Sequence, residues 1–236
     1  MARCGTGVVL ALTVCGCAGE PGTIAPAGEH TVVVEERGRV TGRVAGLAGG
    51  DVAAVFLDPH GRVEGSIPSE VAVMDQFGRD FIPHLLVVQK GQVVQFRNSE
   101  DELHNVHVVD SAGTTLINVA MPILGGTYHH AFEEIGDYSI TCNVHQEMAA
   151  RILVTSSPFF VVADRDGRFS FSGVPRGAYT LTVRNRGKQL QRVVEISGGK
   201  TELNVDLAEA SVNLSDPALD AASLLGTRSR NLLRRH

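Results

Sequence analysis

The sequence predicts an all-β protein made of two small sandwiches, and three observations carry that prediction. First, from Arg39 onward the chain is a series of short alternating or β-branched runs: Val40–Val44, Val52–Leu57, Val71–Met74, Leu85–Val88, Val93–Phe96, Val106–Val109, Tyr138–Cys142 and Ile152–Val154. Gly, Asp, Asn and Pro bound them, the punctuation of strands joined by turns. Second, no long segment of 3.6-residue period precedes the C-terminal tail, which excludes a doubly wound nucleotide-binding fold. Third, one device occurs twice, in Gly136-Asp137-Tyr138-Ser139-Ile140 and Gly177-Ala178-Tyr179-Thr180-Leu181. A Tyr so placed locks the corner of a Greek-key sandwich, so two corners imply two sandwiches; each Tyr also suits an ordinary strand.

The chain has 236 residues, 43% hydrophobic and 20% charged, which fits one or two folded domains and not a disordered state. Its net charge of −5 argues against a nucleic-acid partner, which selects for a basic face. The charge is unevenly spread: residues 1–16 and 221–236 contain no acid. Setting aside Arg3 and the tail arginines Arg228, Arg230, Arg234 and Arg235 leaves 16 basic against 26 acidic residues between 17 and 220, a body of −10.

The N-terminus reads as an address. Arg3 is followed by the apolar run Gly7–Val14, too short to span a bilayer as a stop-transfer helix. Val14-Cys15-Gly16-Cys17 then resembles a bacterial lipobox. Residues 1–16 are expected to be a lipoprotein signal peptide, Cys17 the lipidated residue and 17–37 a tether, placing the protein in the periplasm or cell envelope and on the membrane through its anchor. Ordinary cleavage nearby and a soluble exported protein is the alternative. Either way the compartment is oxidising, where cysteines normally pair. Cys142 is the one cysteine left for the folded body, so its thiol is an inert buried group, an intermolecular crosslink or a ligand.

Gly38-Arg39-Val40-Thr41-Gly42-Arg43-Val44 followed by Asp51–Leu57 resembles the opening of a transthyretin-like or carboxypeptidase-regulatory sandwich. Its continuation, Asp164–Phe171 and then Val174–Leu181, arrives only after residue 155. The expectation is therefore a sandwich formed by 38–66 with 155–208, immunoglobulin- or transthyretin-like, split by a second domain over 67–154. Two domains in series is the alternative. The tail, 209–236, holds a helix start at Asp216-Pro217 and a basic, leucine-bearing end, either a short amphipathic helix or a frayed terminus.

The chemistry concentrates in Cys142-Asn143-Val144-His145-Gln146-Glu147-Met148. Side chains alternate along a strand, so Tyr138, Ile140 and Cys142 share one face and His145 and Met148 come from the following turn. Upstream, Asn98–Leu103 leads into a strand opening with His104 and Asn105. Two imidazoles, a thiolate and a weak thioether are the ligand set of a blue-copper electron-transfer site: the soft thiolate holds Cu(I), neutral imidazoles serve both oxidation states and a distant Met tunes the potential.

Asn98…His104-Asn105-Val106, Gly136-x-Tyr138 and Cys142-x-x-His145-x-x-Met148 together resemble the cupredoxins, plastocyanin and especially amicyanin. The resemblance covers about residues 67–154. It implies a Greek-key β-sandwich of cupredoxin type with one type 1 copper held by His104, Cys142, His145 and Met148, and Asn105 hydrogen-bonded across to the cysteine loop. The whole arrangement is similar to bacterial proteins labelled methylamine-utilisation or plastocyanin-like, although no residue here specifies methylamine chemistry. Glu147 departs from the apolar residue frequent at that place in amicyanin-like loops.

The function expected is one-electron transfer in the bacterial cell envelope, with a c-type cytochrome or a dehydrogenase as redox partner; the acidic body suits a basic one. Copper storage or delivery, or a non-redox interaction role on the same scaffold, are the alternatives. Enzyme activity is not expected, since His-x-His, His-Glu-x-x-His and Gly-x-Ser-x-Gly are all missing from the sequence. His107 alternates away from His104, His129-His130 reads as exposed, and Met121–Gly126 suits either a docking patch or the core.

Overall fold

The computed structural model describes residues 36–49, 51–63 and 67–212. The expected signal peptide, Cys17, the tether up to residue 35 and the tail from 213 lie outside them. Among the described residues the strands run β1 (Arg37–Ala45), β2 (Ala54–Pro59), β3 (Ala72–Gln76), β4 (Phe81–Ile82), β5 (Leu85–Gln89), β6 (Val93–Asn98), β7 (His104–Val109), β8 (Thr115–Met121) and β9 (Thr127–Ala131). They continue as β10 (Gly136–Thr141), β11 (Ala149–Thr155), β12 (Phe159–Val162), β13 (Arg168–Pro175), β14 (Gly177–Asn185), β15 (Lys188–Ile196), β16 (Lys200–Asp206) and β17 (Ser211–Val212). One 3-10 turn, Leu207–Glu209, is capped by the Asp206 carboxylate. The protein is all-β, as its short alternating runs predict. Arg37 opens β1 opposite Pro175, so the strand starts one residue inside the expected tether.

Four sheets form two sandwiches. The sheets β5-β11-β10-β7-β8 and β4-β3-β6-β9 enclose a core of Phe81, Phe96, Phe132, Ile140, Ile152 and their neighbours. The sheets β13-β1-β16 and β12-β2-β14-β15-β17 enclose another around Val40, Leu57, Phe169, Tyr179 and Leu181. The pairing partners of β1 and β2 all come from β12 onward, whereas β3 to β11 pair with one another. Both tyrosines close corners: the Tyr138 hydroxyl donates to Glu134 O at 2.8 Å and the Tyr179 hydroxyl to Pro175 O at 2.8 Å. Burial pushes the Tyr138 phenol up from its ordinary value.

Side-chain alternation explains how the sandwiches meet. In β2, Val55 and Leu57 face one core while Ala54 and Phe56 face away; in β11, Ile152 and Val154 face the other core while Leu153 faces away. The outward residues find each other. Ala54, Phe56, Val87 and Leu153 form a third buried cluster, with Leu85, Phe160 and Val162 packed against it. Strands buried on both faces need continuous apolar sequence, and Ala53-Ala54-Val55-Phe56-Leu57 supplies it. At the edge of this contact Asp137 accepts from Arg151 at 3.1 Å in its own sandwich and from both Arg184 nitrogens, at 3.0 and 2.6 Å, in the other.

On the outer face of β3, Asp75 pairs with Arg97 across the ladder and accepts from the Ser99 hydroxyl at 2.9 Å. Burial works to raise the Asp75 carboxyl, but the Arg97 and Ser99 hydrogen bonds outweigh it and hold the group below its ordinary 3.8. A carboxylate with a depressed folded pKa stabilises the fold above the unfolded value and loses that contribution as pH falls from there through the lowered folded one. Asp75→Asn is expected to destabilise the protein by about 1 kcal/mol at neutral pH, with the deficit closing as pH drops below about 3.8. Urea unfolding at pH 7 and pH 3 checks this; an equal deficit at both values removes Asp75 as the source.

Candidate metal centre

The site lies at the end of the first sandwich where β7 begins and β10 ends. His104 is fully buried at the first position of β7, and Cys142, 2% exposed, follows the last residue of β10. The loop from β10 to β11 is tied to itself: Cys142 N donates to Met148 O at 3.3 Å, Met148 N to His145 O at 3.1 Å and His145 N to Cys142 Sγ at 3.4 Å. These bonds turn His145 back over Cys142. Its Nδ1 stands 3.9 Å from Cys142 Sγ and 3.1 Å from His104 Nδ1. The two imidazole centroids are 4.8 Å apart. Met148 is fully buried in the same core cluster as Cys142.

Glu100, one turn of loop before β7, sets the orientation of His104. Its carboxylate accepts the backbone N–H groups of Gly78 and Arg79, both at 3.0 Å, and His104 Nε2 at 2.7 Å. The Arg79 amide foremost, with His104 and the Gly78 amide, holds Glu100 below the usual carboxylate range against the opposing effect of burial. An ionised carboxylate only accepts, so His104 Nε2 carries the proton it donates, and Nδ1 is the ring nitrogen turned toward His145. Two imidazole nitrogens and a sulfur thus face one another in a buried place, a donor set that one cation could share.

The spacing fits such a cation. The Nδ1 atoms of His104 and His145 and the Sγ of Cys142 all lie within 4.8 Å of one another. Nitrogens about 2.0 Å from one tetrahedral ion sit about 3.3 Å apart, and a sulfur about 2.3 Å from it lies about 3.5 Å from each nitrogen. The soft sulfur and two imidazoles suit copper chemistry, and a hard oxygen-seeking ion would be poorly served.

Asn105 is buried beside His104, and its Oδ1 accepts the Asn143 N–H next to Cys142. Its Nδ2 donates to Asn118 Oδ1 on β8 at 2.8 Å. On the solvent side Arg79 donates to both oxygens of Glu102 at 2.8 Å, keeping that carboxyl below its usual range and 3.6 Å from His145 Nε2. Glu102, then, is an acid facing the site from solvent. Met121 is 3% exposed while Ile123 is 64% and Leu124 60%, so that segment divides between core and surface. His107 turns outward onto Thr115, His129 onto Gln95, and His130 packs edge-on against Phe132.

Glu100, Glu102, Arg79 and Asn118 are the residues the sequence does not single out. The one legible signal is Glu100, four residues before His104.

No family model and no curated protein matches the chain. Solved structures similar to part of it include cupredoxins and a copper-containing nitrite reductase from Thermus scotoductus, the latter 21% identical over 42% of this chain and 25% of its own, with a TM-score of 0.33. A purple cupredoxin from Nitrosopumilus maritimus is 23% identical over 36% of this chain and 99% of its own, with a TM-score of 0.32. A reduced amicyanin variant is 27% identical over 38% and 97%, at 0.34. Amicyanin from Paracoccus versutus is 21% identical over 38% and 85%, at 0.34.

Proposed function

We propose that the protein is a type 1 copper protein that carries single electrons. The observation that supports this most directly is the convergence of His104 Nδ1, His145 Nδ1 and Cys142 Sγ within 4.8 Å of one another. His104, Cys142 and His145 would hold the ion and Met148 would be the weak further ligand. Copper bound there would supply a one-electron Cu(I)/Cu(II) couple. The chain's own contribution is rigidity. Glu100 fixes the His104 ring, the turn bonds of residues 142–148 fix Cys142 and His145, and the sandwich core excludes water from the sulfur. A site that hardly moves between oxidation states exchanges electrons quickly, and His145, 16% exposed, is the ring nearest solvent.

The role belongs to the cell envelope, with the membrane reached through lipidated Cys17 and a c-type cytochrome or dehydrogenase as electron partner. The chain is a carrier and not an enzyme. Copper-loaded protein is expected to be intensely coloured and to cycle between oxidised and reduced forms at constant copper content. A colourless Cu(II) complex overturns the proposal, and copper released to an acceptor on each reduction would make the protein a delivery module instead.

A further inference from the structure

Gln76 is a fully buried amide at the end of β3, in parallel register with Asn98 of β6. Its Nε2 donates to the backbone carbonyl of Asn105 at 3.1 Å. A carbonyl only accepts, so the amide can face only one way, and Oε1 is left buried without a hydrogen-bond partner among the described residues. The glutamine thus leaves one acceptor unpaired in order to make a single buried bond across the sandwich.

The bond it does make is informative. It crosses the sandwich, from the β4-β3-β6-β9 sheet to β7 of the facing sheet, at the residue after His104. Asn105 in turn accepts the N–H of Asn143, the residue after Cys142. One line of contacts therefore runs Gln76, Asn105, Asn143, Cys142, and fixes the segment carrying His104 against the segment carrying Cys142. The backbone carbonyl of Gln76 also accepts Ser99 N at 2.9 Å, at the start of the loop that holds Glu100.

We propose that Gln76 is a positioning residue that fixes the spacing between the His104 and Cys142 segments before any metal binds. Its purpose rests on the copper reading; its mechanical effect does not, which lets the two fail separately. The test uses hydrogen exchange by NMR on the metal-free protein carrying Gln76→Met. The Asn143 amide is expected to exchange at least tenfold faster, with the β11 amides of Ile152 and Leu153 unchanged. In the copper-loaded protein the same variant is expected to shift the charge-transfer band and the reduction potential at unchanged copper content.

A residue that merely fills space would either speed all these amides together or leave Asn143 protected, and each result overturns the proposal. Gln76→Asn keeps an amide but falls one methylene short, so it should show the same local loss and decides the matter if the Met variant does not fold. If wild-type protein binds no copper while Asn143 still loses protection, the copper reading falls and the positioning role stands.

Discussion

Cys142→Ser is expected to abolish the colour of the copper-loaded protein and to weaken copper binding by several orders of magnitude, while the apo fold remains. In the proposed site a Cys142 thiolate would be the soft, strongly donating ligand, whereas a serine hydroxyl binds Cu(I) poorly. The site is otherwise intact in the variant, since His104 is oriented by Glu100 and the loop by its own backbone bonds. Cys142 sits at 2% exposure among apolar neighbours, so the exchange of sulfur for hydroxyl costs the fold about 1–2 kcal/mol. Absorption spectra and copper titration of wild type and variant, with thermal unfolding of both apo forms, check the result. Colour that survives the substitution removes Cys142 from the ligand set.

The second large effect lies away from the metal. Asp137→Ala is expected to destabilise the protein by about 3 kcal/mol and to split a single calorimetric transition into two. Asp137 is 13% exposed and receives Arg151 from one sandwich and Arg184 from the other. Removing it leaves two guanidinium groups crowded around an empty place, like charge facing like charge, over the apolar contact of Phe56 with Val87 and Leu153. Adding Arg184→Ala should recover part of the loss, because it relieves the repulsion; a double variant as unstable as the sum of the singles would show that the two residues do not interact. A loss below about 0.5 kcal/mol would show that the apolar cluster alone joins the sandwiches.

What could be read from the sequence depended on how local its cause was. The strand runs and the two Gly-x-Tyr corners are set by neighbours within five residues, and Tyr138 and Tyr179 both bond to the carbonyl four residues back. Cys142 and His145 are close in sequence, so their proximity is written there. His104 joined them through a recognisable ligand pattern and not through any local rule. Glu100 beside His104, Glu102 beside His145 and Asn118 beside Asn105 depend on loops and strands brought together by the fold, and an acid-rich stretch such as 100–102 looks like any solvated loop. β8 and β9 also went unread: their exposed edge positions interrupt the alternation that marks a strand. The apolar run in β2 looks like one buried face, and only the packing reveals that it serves two cores.

The chain leaves the second sandwich after β2, builds nine strands and returns to the same sheet at β12, beside β2. A module hung on one linker can swivel about it. A module attached at both its beginning and its end, and pressed against its host by Phe56 and Leu153, has lost that swivel. The end that carries His104, Cys142 and His145 is therefore held like a lamp bolted to a bracket. Whatever turns the second sandwich turns that end with it, so the two sandwiches present themselves as one body.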